Sequence, residues 1–143
     1  MLLSLGSAHF RFTYTFESGH KLVGFVEGDR SQMNPDLVFN LRSLKAICLD
    51  PQGSPLMNFD TTFGQLNTSK PEVILSGSLT GQGSFFSLNY RGADASVYNA
   101  VTDTWIASGW DPQMWKVEEL TVPRSKTAIS SAANLAWMAQ AIA

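Results

Sequence analysis

The sequence predicts an all-β protein: an antiparallel β-sandwich of jelly-roll type, built from eight or nine short strands and followed by a short C-terminal helix. A closed β-barrel fits the same pattern, and periodicity does not separate the two. Three observations carry the prediction. Phe10, Phe12, Tyr14 and Phe16 recur at two-residue spacing, with His9, Arg11, Thr13, Thr15 and Glu17 between them, which is the period of a strand with one buried face. Clusters of turn residues punctuate the chain at short intervals, as in 29–35 (DRSQMNP), 50–55 (DPQGSP) and 109–112 (GWDP). Charged residues make up only 15% of the chain, against about 25% in typical domains, while Ser, Thr, Gly and Asn are plentiful.

The first strand covers the aromatic run. Ser18-Gly19 offers a two-residue turn, and Lys21 to Glu27 reads as the returning strand. Counted from that turn, Glu17 faces His20, Tyr14 faces Val23, Phe12 faces Phe25 and His9 faces Gly28. Val23 and Phe25 then share the aromatic face, and Leu22 and Val26 fall on the other. Asp36 to Leu49 reads as a strand, with Leu37, Phe39 and Leu41 alternating before Leu44, Ala46 and Cys48. Leu56 to Phe63 follows as another. Glu72 to Leu79 and Ser84 to Tyr90 read as a second hairpin, Ala95 to Val101 as a weak strand, and Thr104 to Ser108 with Met114 to Val122 as a third hairpin around Gly109-Trp110-Asp111-Pro112.

The 143 residues fit one domain, placed at 1–122, with a tail at 123–143. A chain of this size buries about 68–70% of its unfolded surface and needs no disulfide or metal staple. The tail segment Ala128 to Ala143 is Ala-rich and free of Gly and Pro, so it is expected to be helical from about residue 128, with Ser130 or Ser131 as its cap and Leu135 and Trp137 docking on the β domain.

Several function classes lose support. The net charge is −2 and no basic run exists, so nucleic acid is not an expected partner. No run of eighteen apolar residues exists, so no membrane-spanning helix is expected. Met1 to Gly6 is too short for a signal peptide and lacks a basic start and a cleavage site; either that export route is not used or the sequence lacks its leader. Cys48 is the single cysteine and reads as a buried small hydrophobe. His9 and His20 sit at opposite ends of the first hairpin, so they do not share a zinc ion. No nucleophile elbow and no phosphate-binding loop appears, and no cofactor is expected. Asp29, Asn34 and Asp36 put oxygen ligands around one loop, a possible calcium site, although the spacing matches no EF-hand and a solvated loop is the plainer reading. Asn67-Thr68-Ser69 is an N-glycosylation sequon, which matters only in a secreted eukaryotic protein.

The tryptophans are the candidate binding residues. Trp105, Trp110 and Trp115 fall within eleven residues. Trp110, in the expected turn, is the one placed at the surface, where an aromatic ring stacks on a sugar. Against this stands a plainer assignment, in which Trp105 and Trp115 anchor the core and Trp110 covers one end of it.

The opening FRFTYTFESGHKLVGFVEGD, the Leu-Ser-Gly-Ser-Leu of 75–79, and Trp115-Lys116-Val117 followed by Val122-Pro123 resemble the PEP-CTERM class of exported bacterial proteins, especially those of cyanobacteria. The resemblance implies a β-rich domain of extracellular or cell-surface location and a structural role rather than a reaction. Arg124 and Ser125 stand where that class has Glu and Pro, and the tail lacks its closing Arg residues. The expected function is therefore a non-enzymatic structural or interaction domain that self-associates into oligomers or filaments. The alternative is a carbohydrate-binding module; an enzyme ranks last.

Overall fold

The computed structural model describes residues 4–68, 74–78, 83–89 and 92–120. The tail at 123–143, with its expected helix, lies outside them. Ten strands follow in order: β1 (Ser4–Thr15), β2 (Lys21–Ser31), β3 (Leu37–Leu49), β4 (Pro55–Phe59), β5 (Thr61–Asn67), β6 (Ile74–Ser78), β7 (Phe85–Asn89), β8 (Asp94–Asn99), β9 (Thr104–Ser108) and β10 (Trp115–Leu120). A 3₁₀ turn at Pro112–Met114 precedes β10. All pairings are antiparallel. The strands lie side by side in the order β10-β1-β2-β3-β5-β6-β7-β8-β9, with β4 also on β3. The described protein is all-β, and its sheet bends into a half-barrel.

Ring contacts show how far the sheet bends. β1 and β7 stand five places apart in the strand order, which in a flat sheet is roughly 24 Å at about 4.8 Å per strand. Yet the Phe12 and Phe86 ring centroids lie 6.2 Å apart, and Phe86 meets Phe59 edge-on at 5.1 Å. One apolar core fills the concave side, with Phe10, Phe12, Leu22, Leu44, Leu66, Leu75, Phe86, Leu88 and Val97 wholly buried. Its centre uses two glycines. Phe12 lies across from Gly24, and Phe86 across from Gly77. A Cβ at Gly24 would fall 2.4 Å from Phe12 Cζ, and one at Gly77 2.2 Å from Phe86 Cε1 and 2.7 Å from Leu44 Cδ2. Each phenyl ring therefore rests on bare backbone, and the two rings approach across the core.

The corner of the bend falls within residues 55–67. β4 pairs the end of β3 (Ala46↔Phe59) and the last residues of β5 pair its start (Leu37↔Asn67). Between them the chain leaves β3 at Asp60, whose N–H donates to the Ser78 carbonyl at 3.0 Å, and β5 pairs β6 instead. The expected single strand over Leu56 to Phe63 is thus two, serving different neighbours.

The first hairpin differs by one residue from its expected register. Tyr14 faces Leu22, Phe12 faces Gly24 and His9 faces Glu27. The loop is Glu17-Ser18-Gly19: the Phe16 N–H donates to the His20 carbonyl, the Gly19 N–H donates to the Phe16 carbonyl, and Gly19 sits at φ +93. A glycine in left-handed conformation closing a three-residue loop is a standard alternative to the two-residue turn. Because side chains alternate, a one-residue slip exchanges faces. Leu22 and Val26 join the core; Val23 packs instead with Leu49, Phe25 and Ile47 on the convex side.

A second correction concerns the third hairpin. β9 pairs β8, and β10 pairs β1 on the far side of the half-barrel. Asn99 turns the chain back between β8 and β9 by accepting from the N–H groups of Val101 and Thr102 at 3.0 and 3.3 Å. After β9, Gly109 at φ +108 and the 3₁₀ turn capped by Asp111 carry the chain to β1.

Candidate functional site

The three tryptophans do not form one platform. Trp115, one of the candidate binding residues, is buried and stacks on Phe12 at 5.7 Å, so it anchors the core, as the plainer assignment has it. Trp110, expected at the surface, lies half-buried and parallel to Tyr14, with ring centroids 5.1 Å apart and 3° between planes. The segment is held from β1: Tyr14 Oη donates to the Gly109 carbonyl at 2.9 Å and accepts from the Asp111 N–H at 2.6 Å. Burial of that phenol raises its pKa. Trp110 therefore covers one end of the core.

Trp105, weighed as a core anchor, is 59% exposed. The cause is a one-residue bulge. Val97 faces Ala107, but Tyr98 faces Trp105, so Ile106 is the extra residue. Without the bulge Trp105 would share the inward face with Ala107; with it, Trp105 stands beside Tyr98 on the outer face. The registers place Phe85, Tyr98 and Trp105 in one row across β7, β8 and β9. Their centroids are 5.5 Å apart for Phe85 and Tyr98, 4.8 Å for Tyr98 and Trp105, and 5.8 Å for Phe85 and Trp105. The Tyr98 and Trp105 planes differ by 50°, and Phe85 stands edge-on to Trp105 at 85°. The next outward row, through Ser76, Ser87 and Ser96, is small and polar, with the Ser76 and Ser87 hydroxyls 3.4 Å apart.

The loop beside these rings is internally braced. Tyr98 Oη donates to Asp103 Oδ1 at 2.5 Å, and this bond is the main reason the Tyr98 pKa is raised. Asp103 adopts φ +52. Thr104 Oγ1 donates to the Thr102 carbonyl at 3.0 Å. The wholly buried Ser84 accepts from the Ala100 N–H at 2.9 Å and ties the loop to the start of β7. No spacing rule in the sequence marks Asp103 or Phe85; only the bulge and the β8-β9 pairing bring them to Trp105.

The remaining candidates separate. Asp29 turns its carboxylate toward Arg42 Nη2 and Asn40 Nδ2, each at 3.0 Å, and these bonds lower its pKa. Asn34 Oδ1 accepts from the Asp36 N–H at 3.2 Å. Asp29 and Asn34 thus spend oxygens on partners within the protein, and no group of three His, Cys, Asp or Glu side chains placed to hold a metal occurs among the described residues. His9 lies at the Glu27 end of the first hairpin and His20 in its turn, where Nδ1 is 2.8 Å from Ser18 Oγ; they stand roughly 23 Å apart along the strand at about 3.3 Å per residue. Cys48 is buried, and burial pushes its thiol up to about 12. No helix among the described residues is long and apolar enough to cross a membrane.

The two ends of the strand order carry different chemistry. β10 presents Lys116, Glu118 and Glu119; Glu118 pairs with Arg11, and Glu119 with Arg30 at 2.5 Å. Arg30 also lies over the Phe10 ring at 5.4 Å. β9, with sequence Thr-Trp-Ile-Ala-Ser, carries no charge. Comparison with known proteins found no family model, no curated protein and no solved structure that matches this chain.

Proposed function

We propose that this chain is a non-enzymatic interaction domain of cell-surface or extracellular type that self-associates through β9. The observation that carries the reading is the contrast between the two ends of the sheet. Among the described residues β9 pairs only with β8, so its outer backbone groups stand ready to template another strand, and no charged side chain discourages this. β10 carries the usual guards. Pairing of β9 with the β9 of a second copy about a two-fold axis gives a closed dimer. A filament needs a further surface besides β9. The extracellular setting rests on the resemblance of the opening hairpin and the Trp115-Lys116-Val117 strand to exported β-rich proteins.

In the same reading the half-barrel is a flattened sandwich, with β10 and β1 to β4 as one layer and β5 to β9 as the other, and the tail from about 128 is a helix packed on it. Light scattering at high concentration tests the assembly. The wild type is expected as a dimer or larger, and Thr104→Lys/Ser108→Lys as a monomer. A wild type that stays monomeric at high concentration overturns the reading. Truncation after Pro123 tests the tail: unchanged assembly and solubility would remove it from the account.

A further inference from the structure

We infer that the outer face of β7, β8 and β9 is a binding site for a neutral oligosaccharide of equatorially substituted pyranoses, stacked on Trp105 and Tyr98 with Asp103 accepting from its hydroxyls. This inference stands apart from self-association. It rests on four features found together.

The first is an exposed ring. Trp105 keeps 59% of its surface in water, turned outward by the Ile106 bulge. The second is clustering: the Phe85, Tyr98 and Trp105 centroids lie 4.8 to 5.8 Å from one another, a patch matched to a single pyranose ring. The Tyr98 and Trp105 planes are tilted by 50°, so the rings do not form one flat table. A pyranose with equatorial hydroxyls offers a face of C–H groups to such rings and directs its hydroxyls sideways. The third is an acceptor at the rim. Asp103 uses one oxygen for Tyr98 Oη, and a carboxylate has about four acceptor sites, so capacity remains for sugar hydroxyls. The bond to Tyr98 and the braced turn from Asn99 to Thr104 hold ring and carboxylate in place before a ligand arrives, which reduces the entropy lost on binding. The fourth is charge. β7, β8 and β9 carry no Lys or Arg, and the charged groups on them and on the β8-β9 turn are Asp94 and Asp103. An anionic polysaccharide is therefore repelled, and a neutral one is not.

The test is calorimetric titration of the full-length protein with cellohexaose, laminarihexaose, xylohexaose and polygalacturonate. At least one neutral hexaose is expected to bind and to alter tryptophan emission, and polygalacturonate to bind more weakly. Trp105→Ala should weaken binding about tenfold or more, as for loss of a central aromatic anchor, and Trp105→Tyr should retain most of it. Asp103→Asn should weaken the neutral sugar roughly threefold, as for loss of a charge-assisted hydrogen bond at an exposed site, while improving polygalacturonate. Ser108→Lys alone, which charges β9 away from the braced Asn99–Thr104 turn, should bind neutral sugar like the wild type, so failure of self-association and failure of this site are read separately. Absence of binding to all three neutral hexaoses, binding indifferent to Trp105→Ala, or tighter binding of polygalacturonate overturns the inference. Loss of dimer formation in Trp105→Ala without sugar binding would assign the rings to the interface instead.

Discussion

Gly24→Ala tests the core at its centre. The new methyl would lie 2.4 Å from Phe12 Cζ, 2.6 Å from Phe12 Cε1 and 3.0 Å from Ala46 Cβ, all closer than carbon atoms tolerate. Phe12 has little room to retreat, since its ring stacks on Trp115 at 5.7 Å and meets Phe86 at 6.2 Å. Overpacking of this kind costs about 1–3 kcal/mol. Restricting the unfolded chain returns about 0.4–1 kcal/mol, so the net loss is roughly 0–2.6 kcal/mol. Phe12→Ala alone should cost about 3–5 kcal/mol as a large-to-small core change. The two are not independent. Once the ring is gone the methyl at 24 has space, and the double variant should be more stable than the sum of the two by about 0.5–2 kcal/mol, in the range found for contacting residues. Urea unfolding followed by tryptophan emission gives all four stabilities. A stabilised Gly24→Ala protein, or strictly additive losses, would refute the packing of the Phe12 ring on the Gly24 backbone.

Other expectations follow from single groups. Tyr14→Phe removes a hydroxyl that bonds both the Gly109 carbonyl and the Asp111 N–H; a loss of about 1–3 kcal/mol is expected, with increased proteolysis around Trp110 as the local readout. Cys48 should resist an aromatic disulfide reagent in the native state at pH 8, because burial holds the thiol up to about 12; labelling should follow global unfolding, and prompt labelling would contradict its burial. Asp29 has a carboxyl pKa lowered by Asn40 and Arg42, so its contribution is present above the unfolded carboxylate pKa and is lost as pH falls through the folded one. Stability curves of wild type and Asp29→Asn should therefore converge in acid and separate toward neutral pH. Asp103→Asn should bring the raised Tyr98 pKa down toward that of an ordinary phenol, read as phenolate absorbance appearing at lower pH.

The aromatic alternation of Phe10 to Phe16 was legible because nothing interrupts β1 there: the strand has one buried face and its side chains alternate without a break. The face of the returning strand was not, because a loop of Glu17-Ser18-Gly19 and one of Ser18-Gly19 differ by a single residue, and both satisfy the same turn preferences. In β3 the period breaks twice, at Asn40 with φ +54 and Ser43 with φ +56. Each left-handed residue shifts the parity, which buries Val38, Leu41 and Leu44 in place of an even alternation from Leu37. Neither residue type compels that conformation, so local sequence rules pass over it. The outward turn of Trp105 and the half-burial of Trp110 have related reasons. One depends on the Ile106 bulge. The other depends on a bond from Tyr14, ninety-five residues away in sequence, which local patterns do not encode. The partner of β10 was hidden in the same way, since closing the chain end against β1 satisfies a strand far upstream.

In the proposed self-association, β9 is the surface by which copies of this chain meet. Backbone hydrogen exchange measured at low and high protein concentration tests it most directly. Amides of Thr104 to Ser108 are expected to gain protection as concentration rises, those of β10 are not, and the gain should be absent in Thr104→Lys/Ser108→Lys. Exchange in β9 that is independent of concentration, or protection gained on β10 instead, would contradict it.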